Sequence, residues 1–248
     1  MARCLVISDI HANLTAFEAV LADVRARNIS YDIVWCLGDV VGYGPDPNEC
    51  VELLRTLPHL CLAGNHDWAV LGALDIETFN DNASAAIQWT RDVLKTDNLR
   101  YLQARPERAE QGDFLLVHAS PRYPIWEYII DNNIAGENFA MYQQPYCLVG
   151  HTHVPLMFIK DVRAQSIRTS HPEHNLPISL RRNNRYIINA GSVGQPRDGD
   201  PRAAYALLDT VHASWTLYRC EYAIQETQTR MRAAGLPDKL ITRLEYGR

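Results

Sequence analysis

The chain has 248 residues, with Lys+Arg 24 against Asp+Glu 29 and a formal net charge of -5, so it lacks the basic excess that binding a nucleic-acid polymer requires. Hydrophobic residues at 47% and charged residues at 21% exclude disordered and fibrous classes. No apolar run approaches the roughly 18 residues that span a bilayer, and the run Cys4–Ile7 is too short for a secretory leader, so the expectation is a cytoplasmic protein without a membrane partner.

The first half alternates short aliphatic runs with segments of helical period, the βαβ signature of a layered α/β fold. Arg3–Ser8 and Asp32–Leu37 read as buried strands. Between them Leu14, Phe17, Val20, Leu21 and Val24 recur at helical steps, with Asn13 as the cap. A second helix is expected from Asp46-Pro47-Asn48-Glu49, with Asp46 capping and Pro47 in the first turn, to about Leu57. Cys61–Ala63 reads as a third strand, and Ala83–Leu94 and Asn98–Gln103 as helices. From Phe114 the pattern turns to strands: Phe114–His118, Tyr146–Val149, Val154–Lys160, Arg185–Asn189, Ala203–Leu208 and Ala213–Cys220. The polar stretch Arg168–Arg185 reads as a surface loop or hairpin, and a helical tail follows from about Ala223. Short strands after βαβ units suggest a second sheet packed on the first, within one domain over residues 1–248. The six cysteines form no C-x-x-C pair and read as buried thiols.

Polar clusters close several of these strands. Asp9-Ile10-His11 follows the first, Gly38-Asp39 the second and Gly64-Asn65-His66-Asp67 the third; His118 ends a later strand and Gly150-His151-Thr152-His153 another. Ligands bind at the carboxyl ends of parallel strands, so these clusters are expected to meet. Singly, each has a plain structural explanation: a D-x-H is often a turn, and a strand-end histidine is often a satisfied core residue. All in order at strand ends is not coincidence. Carboxylate, imidazole and amide donors without thiolate suit two borderline divalent ions such as Mn, Fe or Zn. Two carboxylates against roughly four positive charges leave an excess that attracts a phosphate oxyanion.

The series D-x-H, G-D, G-N-H-D, H and G-H-T-H resembles the calcineurin-like metallophosphoesterase superfamily, and Asn189–Arg197 resembles the closing loop of its small bacterial and archaeal phosphodiesterase branch. The resemblance implies a four-layer α/β/β/α sandwich of two packed mixed sheets with flanking helices. It implies one metal on Asp9, His11 and His153, a second on Asn65, His118 and His151, and Asp39 bridging them. Metal-activated hydroxide would then attack phosphorus in line. His66 would be the catalytic residue at the leaving group, as general acid or charge stabiliser, and Asp67 would orient a histidine.

Phosphoprotein phosphatases and symmetrical diadenosine tetraphosphatases of the superfamily carry G-D-x-x-x-R-G, whereas here Tyr43 stands where that arginine would be. The missing bidentate phosphate clamp moves the expectation toward small phosphodiesters. Tyr43, Arg122 and Arg197 are the candidate substrate contacts, with Tyr43 either stacking on an aryl or base leaving group or acting as a lid. The alternatives are a phosphomonoesterase, including a protein phosphatase or dinucleoside polyphosphate hydrolase, and a non-catalytic scaffold, which the complete ligand set disfavours. The expected partner is a small-molecule phosphate ester, and exposed sheet edges leave a homo-oligomer open.

Overall fold

The computed structural model describes residues 2–248. Two mixed six-stranded sheets pack face to face between layers of helices, matching the expected α/β/β/α sandwich. In the first sheet β1 (Arg3–Ile7) runs parallel to β2 (Ile33–Cys36), which runs parallel to β3 (His59–Cys61). Antiparallel β11 (Ala203–Asp209) and β12 (Ser214–Cys220) extend it on the other side of β1, and β9 (Pro177–Ser179) closes it. In the second sheet β5 (Phe114–Val117), β6 (Tyr146–Val149) and β10 (Asn184–Asn189) are parallel. It is flanked by β4 (Arg108–Gln111) at one edge and by β7 (Leu156–Asp161) and β8 (Ile167–Ser170) at the other.

The inner strands read as unbroken apolar runs because both of their faces are covered. In β1, Leu5 and Ile7 point to the layer of α1 (Leu14–Ala26), while Cys4 and Val6 point into the space between the sheets. In β6, Tyr146 and Leu148 face the first sheet, whereas Cys147 and Val149 pack under α6 (Asn132–Phe139). Phe17, Val20, Leu21 and Val24 of α1 are buried against the first sheet, each contributing roughly 1.5–3 kcal/mol relative to exposure. Asn13 caps α1 by accepting from the Ala16 amide at 3.1 Å. All six cysteines are buried and free.

Several boundaries differ from the sequence reading. The third strand is His59–Cys61, because the chain beyond Cys61 leaves the sheet to build the site. Helices α4 (Asp81–Val93) and α5 (Thr96–Gln103) lie close to the expected bounds, whereas two short helices, α3 (Asn65–Val70) and α6, and the edge strand β4 carry too little periodicity to stand out. The stretch Arg168–Arg185 is not one hairpin: β8 joins the second sheet and β9 the first, so this segment crosses between them. Asp46 makes no side-chain cap at α2 (Pro47–Arg55); it is held instead by Arg230 at 3.1 Å. Arg230 belongs to α7 (Ile224–Ala233), which with α8 (Asp238–Thr242) forms the helical tail and packs on α1. No helix among the described residues is long and apolar enough to cross a membrane.

Candidate metal centre

The polar clusters end parallel strands of both sheets, so the site lies where the two sheets' carboxyl edges meet rather than along one sheet. The Asp9 amide donates to the Gly38 carbonyl and the His11 amide to the Asp39 carbonyl, which locks the first two loops together. The Gly150 amide donates to the His118 carbonyl and the His151 amide reaches Asp9 Oδ2 at 3.1 Å, which joins the second sheet's loops to the first's. The loop after β10 closes the ring: the Gly194 amide donates to the Asp9 carbonyl, as does Ser192 Oγ.

These loops hold Asp9, His11, Asp39, His151 and His153 at positive φ, between 49° and 63°. Each such residue costs roughly 1–2 kcal/mol, and backbone outliers of this kind gather at functional sites. One group of potential ligand atoms comes from Asp9, His11, Asp39 and His153, and a second from Asp39, His118 and His151, each within 4.8 Å of one another. Asp39 belongs to both. Its Oδ2 lies 3.5 Å from His11 Nε2 and 3.4 Å from His118 Nε2, and it is buried without a donor. Asn65 Oδ1 sits 3.0 Å from His118 Nε2, adding an amide oxygen to the second group.

Each of the four histidines is anchored through one ring nitrogen on a main-chain carbonyl. His11 Nδ1 donates to Val41, His118 Nδ1 to Leu37 and His153 Nδ1 to Gln195, while His151 Nε2 donates to Trp126. A carbonyl only accepts, so those nitrogens carry the protons, and in the neutral ring the opposite nitrogen is a lone pair. His11 Nε2 and His153 Nε2 then face each other at 3.1 Å. Two lone pairs at that distance repel unless a cation lies among them. His118 Nε2 faces the oxygens of Asn65 and Asp39, where a bound cation would take the place of the proton that Asp39 otherwise draws onto the ring. The donor set therefore fits two divalent cations.

The local field is consistent with that arrangement. Burial would raise Asp9 and Asp39, but His153 beside Asp9 and His118 beside Asp39 hold both carboxyls below the usual carboxylate range. Burial pushes His11, His151 and His153 down, His151 to about 3. His118 goes the other way, to about 9, because Asp39 outweighs its burial.

His66 stands beside the ligand groups. Its amide donates to Asp39 Oδ1 at 2.9 Å, its ring packs on Tyr43 and Phe79, and its Nδ1 is buried without a partner. Gly42 makes room for it: a Cβ there would lie 2.6 Å from His66 Nδ1. Asp67 does not orient a histidine. It accepts from the Gly64 and Val41 amides, at 3.0 and 3.1 Å, and so braces the turn before α3 against the Asp39 loop.

The substrate candidates fare unequally. Arg122 is ion-paired with Glu127 and Glu137, which removes it from the role of phosphate clamp. Tyr43 is 7% exposed, wedged against His11 and His66 under the apolar face of the tail, so stacking on a leaving group gives way to bracing. Arg197 reaches Tyr43 Oη at 3.4 Å and stays at the rim of the centre. Three residues beside the centre escaped sequence reasoning. Trp126 supplies the carbonyl that holds His151, Tyr128 stacks on the His151 ring at 4.0 Å, and Arg243 in the tail approaches Arg197 and Tyr43. None belongs to a motif or periodic pattern that would have marked it.

The calcineurin-like phosphoesterase superfamily domain matches residues 2–213 of the chain. The chain belongs to that superfamily. It is a hydrolase acting on phosphate esters, in a family that uses divalent metals. A solved metallophosphoesterase from Sphaerobacter thermophilus is 48% identical over all of both chains, with a TM-score of 0.89. An uncharacterized protein of Methanocaldococcus jannaschii is 39% identical over 98% of this chain and 97% of its own length. A symmetrical bis(5'-nucleosyl)-tetraphosphatase of Vibrio campbellii is 26% identical over 53% of this chain and 49% of its own length.

Proposed function

We propose that this calcineurin-like phosphoesterase hydrolyses small phosphodiesters at a two-ion centre. The observation that carries the reading is the convergence of four histidine ring nitrogens, each aimed by a carbonyl on the far side of its ring, on two buried carboxylates. Asp9, His11 and His153 would hold one ion and Asn65, His118 and His151 the other, with Asp39 shared; manganese, zinc or iron suits these donors. When bound, such ions polarise a phosphoryl oxygen and lower the pKa of a coordinated water toward 7.

The chain's own residues supply position and proton control. Backbone held at positive φ fixes the ligands before substrate arrives, so little reorganisation accompanies the reaction. His66, clamped between Tyr43 and Phe79, would hold a proton at the departing oxygen. Tyr43 in place of an arginine withholds the bidentate clamp that a terminal phosphate monoester exploits, which supports a diester. The likeness over half the chain to symmetrical bis(5'-nucleosyl)-tetraphosphatases supports a second reading, hydrolysis of a dinucleoside polyphosphate. We take the substrate to be a small cytoplasmic phosphate ester and the whole chain to act as one domain.

Turnover of metal-stripped protein on bis-p-nitrophenyl phosphate and p-nitrophenyl phosphate, each titrated with Mn²⁺, Zn²⁺ and Mg²⁺, tests this. Faster metal-dependent hydrolysis of the diester is expected. Preference for the monoester would overturn the diester assignment, and no turnover with metal bound would favour a scaffold.

A further inference from the structure

Of the five tryptophans Trp126 alone is exposed, with 42% of its surface open, and Tyr128, two residues on, is 45% exposed. Both stand in the loop between β5 and α6, which is braced from within. Ile125 and Ile129 are buried, and the Glu127 carboxylate accepts from Ser120 Oγ at 2.7 Å, Arg122 Nε at 3.0 Å and Asn138 Nδ2 at 2.8 Å. The Trp126 carbonyl is itself taken by His151 Nε2. The chain thus fixes, at the edge of the centre, two large rings that burial does not claim. Aromatic surface held open and rigid beside a reactive centre marks a contact for what that centre binds.

Ring contacts connect this surface to both sides of the centre. Tyr128 stacks on His151 with ring centres 4.0 Å apart, so one of its faces is occupied. Trp126 lies 6.4 Å from the His151 ring and meets Phe79 edge-on at 4.9 Å, and Phe79 in turn meets His66 edge-on at 5.2 Å. With His66 at the departing oxygen, the organic group attached to that oxygen passes Phe79 toward Trp126. A ring bonded directly to the oxygen would stop at Phe79, whereas one held off by a sugar reaches the tryptophan. The loop's Arg122 and Glu127 are paired with each other, so the wall offers π faces rather than charge.

We propose that Trp126, with Phe79 and Tyr128 beside it, forms a stacking subsite for the nucleobase of a nucleoside phosphodiester. Trp126 then sets the preference for a nucleoside over other alcohols as the esterified group. Every base has a π face, so the subsite selects for a base without selecting which one. The inference rests on the phosphoesterase reading of the centre.

The probes are AMP, ribose 5-phosphate and phenyl phosphate, titrated by calorimetry into the Mn²⁺-loaded protein. AMP and ribose 5-phosphate share sugar and phosphate, so the ratio of their constants reads the base alone. In the wild type AMP is expected to bind about tenfold or more tightly than ribose 5-phosphate. Trp126→Ala should bring the ratio near one, and Trp126→Phe, which keeps a ring, should restore most of it. The alanine variant loses an exposed side chain but keeps the main-chain carbonyl on His151, so its melt and its Mn²⁺ content should match the wild type. A wild-type ratio near one, or a ratio unchanged in Trp126→Ala, overturns the subsite. Phenyl phosphate weakened in Trp126→Ala as much as AMP would assign the wall to simple aryl esters and overturn the nucleoside. A high ratio that depends on Trp126 in a protein that hydrolyses no ester would refute the proposed function and leave the subsite standing, whereas a ratio near one with diester turnover intact removes the subsite alone.

Discussion

Gly64→Ala offers a steric test of how the centre is assembled. Gly64 precedes α3 with extended backbone (φ -106°, ψ 176°), so alanine is compatible with its torsions and any effect comes from contact. A Cβ there would overlap Asp39 Oδ1 and the Asp39 amide nitrogen and stand 2.7 Å from Asp39 Cγ, whereas ordinary contact begins at 3.4 Å. Asp39 has little room to yield: its Oδ1 is held by the His66 amide at 2.9 Å, and its backbone sits at φ 53°. The two loops must part, an overpacking cost of about 1–3 kcal/mol. For a chain of this size about 1 kcal/mol lowers the melting temperature by 2–4 °C, so the metal-free variant should melt roughly 2–12 °C below the wild type. Displacing Asp39 also weakens the site for both ions. An ion present at about 100 times its dissociation constant stabilises by about 2.7 kcal/mol, a rise that should shrink in the variant. Thermal melts with and without Mn²⁺ read both effects. A metal-free melt within about 1 °C of the wild type, with an equal Mn²⁺-induced rise, would refute the packing argument.

Other expectations concern separate parts of the molecule. His66→Gln should retain metal yet lose roughly 10²–10⁴-fold in turnover of esters with poor leaving groups; loss of metal measured by elemental analysis would contradict its assignment. Gly42→Ala drives a methyl against His66 Nδ1 at a position of φ 89°, so it should mimic that loss of turnover while keeping both ions. Arg185 donates to the carbonyls of Phe139 at 2.7 Å and Tyr142 at 2.6 Å, and Arg185→Met should cost about 2–4 kcal/mol in denaturant unfolding, chiefly through carbonyls left unpaired. Burial, offset in part by Arg230, pushes Asp46 up to about 6 from an ordinary 3.8. The folded chain thus holds that proton more tightly than the unfolded one, and the group's contribution to stability is full below the lower value and lost as pH rises through the upper. The stability of Asp46→Asn relative to wild type should accordingly increase between pH 4 and 7; a flat difference would contradict it.

The sequence was most informative where one physical cause dominated. Strands such as Arg3–Ile7 and Tyr146–Val149 are legible because both faces are buried, which leaves an unbroken apolar run. The residues brought together at the centre were legible because glycine, histidine and acid recur at strand ends. What escaped depends on long-range contact. Asp67 bonds two amides from different loops, and no local pattern separates that from orienting a histidine. Arg122 was judged without Glu137, which reaches it only after α6 folds back. Tyr43 and Leu244 meet through the tail, and neither position alone announces the other. The crossing of Arg168–Arg185 between sheets follows from which edges stand open, a property of the whole fold.

The central claim is a two-ion centre that shares Asp39. The direct measurement is the number of Mn²⁺ ions retained per chain after equilibrium dialysis, for the wild type and for Asp39→Asn, by elemental analysis. Two ions in the wild type, and fewer than one in the variant at the same free Mn²⁺, are predicted. A wild-type chain that holds a single ion, or a variant that still holds two, would contradict the account.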